Sequence, residues 1–102
     1  MNPYEIVEAG IDYQIRRFSI NVDVDPEELL WHRDKEDRLI EVISGSEWYL
    51  QKENLLPEKL KINENYFIRN REWHRIIKGI DDLIIKIKFI ENKNENNKKT
   101  TY

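Results

Sequence analysis

The sequence predicts an all-β protein built as one small domain, a sandwich or barrel. Three observations predict it. Apolar residues recur in short, β-branched or alternating runs rather than with a helical period. Turn-forming residues interrupt those runs at close, even spacing. The chain has 102 residues, enough for a single core but not for a second domain or a dinucleotide fold.

The elements follow in order. "DYQIRRFSINVDV" alternates through Tyr13 and Ile15, then through Phe18, Ile20 and Val22. The change of phase across Arg16 and Arg17 predicts a bulge or bend. "DPEELL" starts as a turn, because Asp25 can bond the backbone ahead and Pro26 pre-sets φ; it can also open one helical turn. "RLIEVIS" is a short β-branched strand that Gly45 ends, and "SEWYLQ" is expected as its hairpin partner. "LLPEKLKINEN" carries turn chemistry at both ends, and "YFIRN" and "EWHRII" read as further strands. "DDLIIKIKFI" places Lys86 and Lys88 on one face and Ile85, Ile87 and Phe89 on the other. The β domain is expected to span 1–90. The remainder, 91–102, has no apolar residue before its last position and reads as a polar, disordered tail.

Composition excludes several functions. Lys plus Arg is 17 and Asp plus Glu is 20, a net charge of -3. Basic residues form no stripe ahead of the tail, which argues against nucleic acid as a partner. Cysteine is absent, so disulfides, zinc ribbons and thiol chemistry are out of reach. "MNPYEIVEAG" lacks the pattern of a signal peptide, and no apolar stretch is long enough to cross a bilayer. The expectation is a soluble, cytoplasmic protein with no membrane partner. Neither a Ser-His-Asp constellation, a glycine-rich phosphate loop nor a helical metal motif is present.

The chain has two histidines, each next to a tryptophan. On a strand, residues i, i+2 and i+4 share a face. His32, Asp34, Glu36 and Arg38 therefore line up, and the same phase continues into Ile40 and Val42. A face that begins polar and ends apolar suits the inside of a barrel, polar at the mouth and aliphatic below. His74 and Ile76 repeat the arrangement, which would bring the histidines together at one end of a cavity. The alternative is plainer: rim histidines and an Asp34–Arg38 salt bridge with no ligand. Trp31, Trp48 and Trp73 read as wall and core residues rather than a sugar platform. Gln51 alternates with Leu50, so it faces either the cavity, as a donor to a ligand, or solvent.

At these residues the sequence resembles the cupin family. The first cupin motif has His-x-His, a Glu four positions on and a Gly seven further. Here His32 and Gly45 match, Asp34 stands at the second His and Arg38 at the Glu. In the second motif Asn63 stands at the first Gly, Arg69 at the Pro, Arg71 at the second Gly, and His74 matches. Asn63 is a sensible stand-in because Asn tolerates positive φ. The resemblance covers Phe18 to Phe89. It implies a cupin-like β-barrel of two antiparallel sheets with jelly-roll connections. It also implies a homodimer, paired through an exposed "IDYQIRRFSINV" edge. A divalent transition metal (Fe, Mn, Ni or Zn) would be held by His32, Asp34 and His74, a set similar to the two-histidine, one-carboxylate triad. Arg38 cannot lose its charge, so it must turn away, pair with Asp34 or Glu36, or bind an anionic substrate. Arg38 and Gln51 are the candidate substrate-binding residues. The function implied is a metal-dependent isomerase or dioxygenase acting on a small, anionic molecule. The alternative is a non-catalytic ligand-binding or regulatory module without a tightly held metal.

Overall fold

The computed structural model describes residues 4–21 and 27–91. Val22, the turn at Asp25 and Pro26, and positions 92–102 of the expected tail lie outside the described residues. Eight strands form: β1 (Glu5–Ala9), β2 (Tyr13–Phe18), β3 (Asp37–Ser44), β4 (Tyr49–Lys52), β5 (Glu58–Lys59), β6 (Asn65–Ile68), β7 (His74–Ile77) and β8 (Leu83–Ile90). A single 3-10 turn, Glu27–Leu29, is the one described helical element. The strands make a five-stranded sheet in the order β1-β2-β8-β3-β6 and a three-stranded sheet in the order β5-β4-β7. All pairings are antiparallel.

Alternation explains the core. The inner face of β8 carries Leu83, Ile85 and Ile87, all buried, while Lys86 and Lys88 point away, as expected. β3 adds Ile40 and Val42, β2 adds Phe18, and the small sheet supplies Leu50 and Ile76. Each such aliphatic contributes roughly 1.5–3 kcal/mol by leaving water.

Three expectations are corrected. First, β2 runs in regular register with β8 from Tyr13 to Phe18, without a bulge; the irregularity lies in β1, between Ile6 and Glu8. The apparent change of phase arises because Arg16, not an apolar residue, occupies an inward position beside Phe18. Second, that segment is not an edge, because β1 covers it; β1 and β6 are the outer strands. "MNPYEIVEAG" held no strand signal because every residue of β1 stays exposed, leaving no alternation to read.

Third, β4 is not the hairpin partner of β3. The chain crosses to the other sheet between them, the first of four crossings, and the last returns it to the large sheet between β7 and β8. The first and last crossings are tied together. Ser46 N–H donates to Asp81 Oδ1 at 2.6 Å, Ile80 N–H to Ser46 O at 3.1 Å, and the buried Trp48 donates Nε1–H to Asp81 O at 2.7 Å. Gly79 permits this approach: a Cβ there would lie 2.1 Å from Ser46 O.

Asn63 and Arg71 both adopt left-handed backbone, with φ of 68° and 65°. These are the two positions where the resembled motif has glycine. Asn accepts this conformation at little cost; an Arg there is strained by roughly 1–2 kcal/mol. Arg71→Gly is therefore expected to raise stability by about 1 kcal/mol after the entropy cost of glycine. Asn63→Ala is expected to lower it by about the same amount. Urea denaturation of the two variants beside the parent checks both signs.

Candidate functional site

β3 begins only at Asp37, so His32 and Asp34 are not on a regular strand. The face persists nonetheless. His32 forms an isolated antiparallel bridge with His74 at the start of β7. His32 N–H donates to His74 O, and His74 N–H to His32 O, each at 3.0 Å. Residues paired in this way project their side chains to the same side. Both imidazoles are buried inside the barrel, their ring centroids 4.2 Å apart. Their sequence neighbours must then point outward. Trp31 stacks under Arg75 and Trp73 under Arg33, each guanidinium 4.9 Å from the ring centre. Two copies of Trp-His-Arg thus lie antiparallel across the bridge. Trp48 alone of the three tryptophans is a core residue; Trp31 and Trp73 are 44% and 39% exposed.

Each imidazole is fixed by a backbone carbonyl two residues earlier. His32 Nδ1 lies 2.7 Å from Leu30 O and His74 Nδ1 2.7 Å from Glu72 O. A carbonyl only accepts, so Nδ1 carries the hydrogen and the neutral ring presents a lone pair at Nε2. The carbonyls are themselves held in tight turns: Leu30 N–H donates to Glu27 O at 2.9 Å, and Arg69 N–H to Glu72 Oε1 at 3.1 Å. Asp34 is placed by its own carbonyl, which accepts Arg71 N–H at 2.7 Å.

The result is a convergence of lone pairs. His74 Nε2 is 3.2 Å from Asp34 Oδ2, and His32 Nε2 is 3.8 Å from Asp34 Oδ1. Asp34 Oδ2 is buried, and with His74 neutral no hydrogen-bond donor reaches it. One ligand atom from each of the three residues falls within 4.8 Å of the others. Nitrogen and oxygen ligands about 2.1 Å from a common ion lie about 3.0–3.4 Å from each other. The His74–Asp34 separation falls in that range and the His32–Asp34 separation exceeds it, so the three residues could hold a divalent transition ion once His32 draws closer, each imidazole being oriented through its other nitrogen.

Arg38 does what its permanent charge demands. Its Nη2 is 3.5 Å from Asp34 Oδ1, its Nε 3.5 Å from Glu36 Oε2, and the guanidinium lies over Phe89. The two oxygens of Asp34 are thus divided, Oδ1 toward Arg38 and Oδ2 toward His74. Burial pushes the Asp34 carboxyl up, but a hydrogen bond from His74 Nε2 when that ring is protonated, the charge of Arg38, and the charges of the two histidines when protonated outweigh it and hold it below the ordinary 3.8.

The group opens on a cavity of about 10 Å³, counted as space open to the centre of a water-sized sphere. That is room for about one water. Five isoleucine side chains form its apolar walls. Glu28 lines it too, from the 3-10 turn that matches the helical-turn alternative for "DPEELL"; nothing in that stretch marks a carboxylate as inward. Gln51 does not line it. It sits opposite Arg75 on the outer face of the small sheet, accepting from Arg75 Nε at 3.0 Å and donating to Leu55 O at 3.1 Å. The expectation of Gln51 as a cavity donor is corrected by register: His74 and Ile76 face in, so Arg75 and its partner Gln51 face out.

No protein-family model matches the chain, and no curated protein matches it. Solved structures do. An RmlC-like cupin with a double-stranded β-helix fold from Methanocaldococcus jannaschii has a TM-score of 0.61 at 18% identity, over 94% of this chain and 86% of its own. A cupin-2 domain protein from Shewanella frigidimarina gives 0.61 at 17% identity, over 85% and 79%. The DMSP lyase DddQ from Ruegeria pomeroyi gives 0.62 at 11% identity, over 82% of this chain and 41% of that one. The chain has the cupin fold.

Asp34→Asn tests the electrostatics without a metal. The folded value of Asp34 lies below 3.8, so its carboxylate stabilises the fold fully above that pH and ceases to do so as pH falls through the folded value. The variant is expected to be less stable than the parent near neutrality, with the gap closing in acid. Urea midpoints of both proteins across that range check it.

Proposed function

We propose that this cupin-fold chain binds a divalent transition metal through His32, Asp34 and His74 and takes a small molecule at the same barrel end. The observation that supports this most directly is the buried contact of Asp34 Oδ2 with His74 Nε2, 3.2 Å apart. Only a proton or a metal ion makes that contact favourable. When bound, an ion of this kind supplies Lewis acidity to an oxygen of the ligand. The protein's own residues do the rest. The isoleucine walls exclude water. Leu30 and Glu72 carbonyls hold the rings, and Arg38 offers a planar fork to a carboxylate or phosphate once it exchanges away from Glu36. An isomerase or a dioxygenase acting on a small anion is the activity that this arrangement suits, and a lyase shares the fold. Homodimerisation belongs to the same proposal, with β1 as the open edge in place of β2. So does a cytoplasmic setting, since cysteine is absent.

A second reading has its own support. Arg38 is already engaged by two carboxylates, and the cavity admits about one water, which suits a ligand-binding or regulatory module without a tightly held metal. Element analysis of protein purified without chelator separates the two. A stoichiometric transition metal supports the first reading; none after metal supplementation sinks it.

The variants are expected to behave differently. Loss of a supporting group alone costs about 10–100-fold in metal affinity, so Asp34→Ala and His74→Ala should each cost at least that, with the fold retained. Arg38→Glu replaces a cation with a carboxylate and is expected to tighten metal binding. Arg38→Ala is expected chiefly to weaken binding of small carboxylates. Titration calorimetry with manganese, nickel and zinc checks all four; unchanged affinity in both Arg38→Glu and His74→Ala would mean that the histidines form no site.

A further inference from the structure

Glu28 stands four residues before His32, within the 3-10 turn. Its Oε1 is 3.3 Å from Arg16 Nη1, and the two side chains are 14% and 9% exposed. Arg16 is fixed independently: its Nε donates to Gln14 Oε1 at 2.9 Å, and its guanidinium lies 4.4 Å from the centre of the Tyr4 ring. The other carboxylate oxygen, Glu28 Oε2, is buried and has no hydrogen-bond partner. Glu28 lines the same cavity as His32, Asp34 and His74 but is not one of the residues whose ligand atoms cluster within 4.8 Å. A buried carboxylate oxygen without a donor carries a substantial penalty unless something in the cavity supplies the hydrogen. The cavity has room for about one water, and Asp34 Oδ2 and Arg38 Nε, also unsatisfied, give that water further partners.

We propose that Glu28 is the hydrogen acceptor of this cavity: Oε2 takes the hydrogen bond of a water or ligand hydroxyl held beside the three candidate ligands, while Arg16 holds Oε1. The inference deepens the metal-site reading and rests on it for the position of the occupant. It makes the favoured ligand one that presents a hydroxyl toward Glu28. Where the reaction moves a proton, the O–H bond breaks, its electron pair stays on oxygen, and the proton passes to Oε2. The aliphatic walls add no acceptor beyond Glu28 Oε2 and Asp34 Oδ2.

The test uses the full chain loaded with cobalt(II), read by visible absorption and titrated with azide as a small anion. Glu28→Gln is expected to keep stoichiometric cobalt, within about threefold of the parent affinity, and to bind azide about tenfold more tightly, because a negative charge facing the open position is gone. Arg16→Met leaves that charge uncompensated and is expected to weaken azide several-fold. A purely structural ion pair would be broken alike from either side and would move both variants in one direction. Shifts of the same sign, or no shift, overturn the proposal, and so does loss of cobalt from Glu28→Gln, which would make Glu28 a ligand. Failure of the parent to take up cobalt would instead sink the metal-site reading. The acceptor role is then decided by a crystal structure of the metal-free chain. A water bonded to Oε2 inside the cavity supports it, and a dry or outward-turned carboxylate ends it.

Discussion

Two backbone hydrogen bonds, exchanged between His32 and His74, fix the polar end of this barrel. They join a segment that belongs to no regular strand to the first residue of β7, in the small sheet. Because a reciprocally bonded antiparallel pair projects its side chains together, this single bridge decides that both imidazoles enter the barrel and that Trp31, Arg33, Trp73 and Arg75 remain outside. The outer side chains then close on one another as two cation–π pairs, each worth about 0.5–1 kcal/mol at an exposed site. The inner ones are left with lone pairs facing Asp34.

Burying polar groups this deeply requires compensation, and the barrel supplies it with carboxylate–guanidinium pairs at two corners. Arg38 lies between Asp34 and Glu36, and Arg16 pairs with Glu28. Such pairs roughly offset their own desolvation rather than add stability. Their effect is positional. Arg38 pairs with Oδ1 of Asp34, which also faces His32, and Arg16 pairs with Oε1 of Glu28. In each carboxylate the remaining oxygen is buried without a donor. Beside Arg38, two unsatisfied acceptors, two imidazole lone pairs and isoleucine walls make a site whose acceptors ask for hydrogen or a cation.

Strain enters at the turn leading to β7. Arg71 takes left-handed backbone, and its N–H holds the Asp34 carbonyl at 2.7 Å. Conformational cost at a residue that touches no ligand thus sets the position of one that would. Asp37 reinforces the same turn, accepting from both Asn70 N–H and Asn70 Nδ2–H. Gly45, at the far end of β3, has φ of 131°, and a Cβ there would lie 2.9 Å from Leu83 Cδ1.

The sequence by itself determined the all-β class, the inner faces of β3 and β8, and the ending of β3 at Gly45; the shared face of His32, Asp34 and His74, expected from a regular strand, is instead made by the tertiary His32–His74 bridge. The first three follow from the two-residue period of a strand and the intolerance of a packed core for polar side chains, both properties of local order. The sequence could not show that β3 and β4 belong to different sheets. An apolar run after a Ser-Gly turn is the same whether the chain folds back or crosses over, and the crossing is fixed by Asp81, far along the chain. It misread Arg16 as a change of phase, because an inward arginine is stable only against Glu28 and Tyr4, contacts that alternation does not encode. It misplaced Gln51, whose side follows from the register of β4 against β7. And it gave no sign of Glu28, since a carboxylate in a turn segment faces solvent by default. Only the packing of that turn beside the barrel mouth turned it inward.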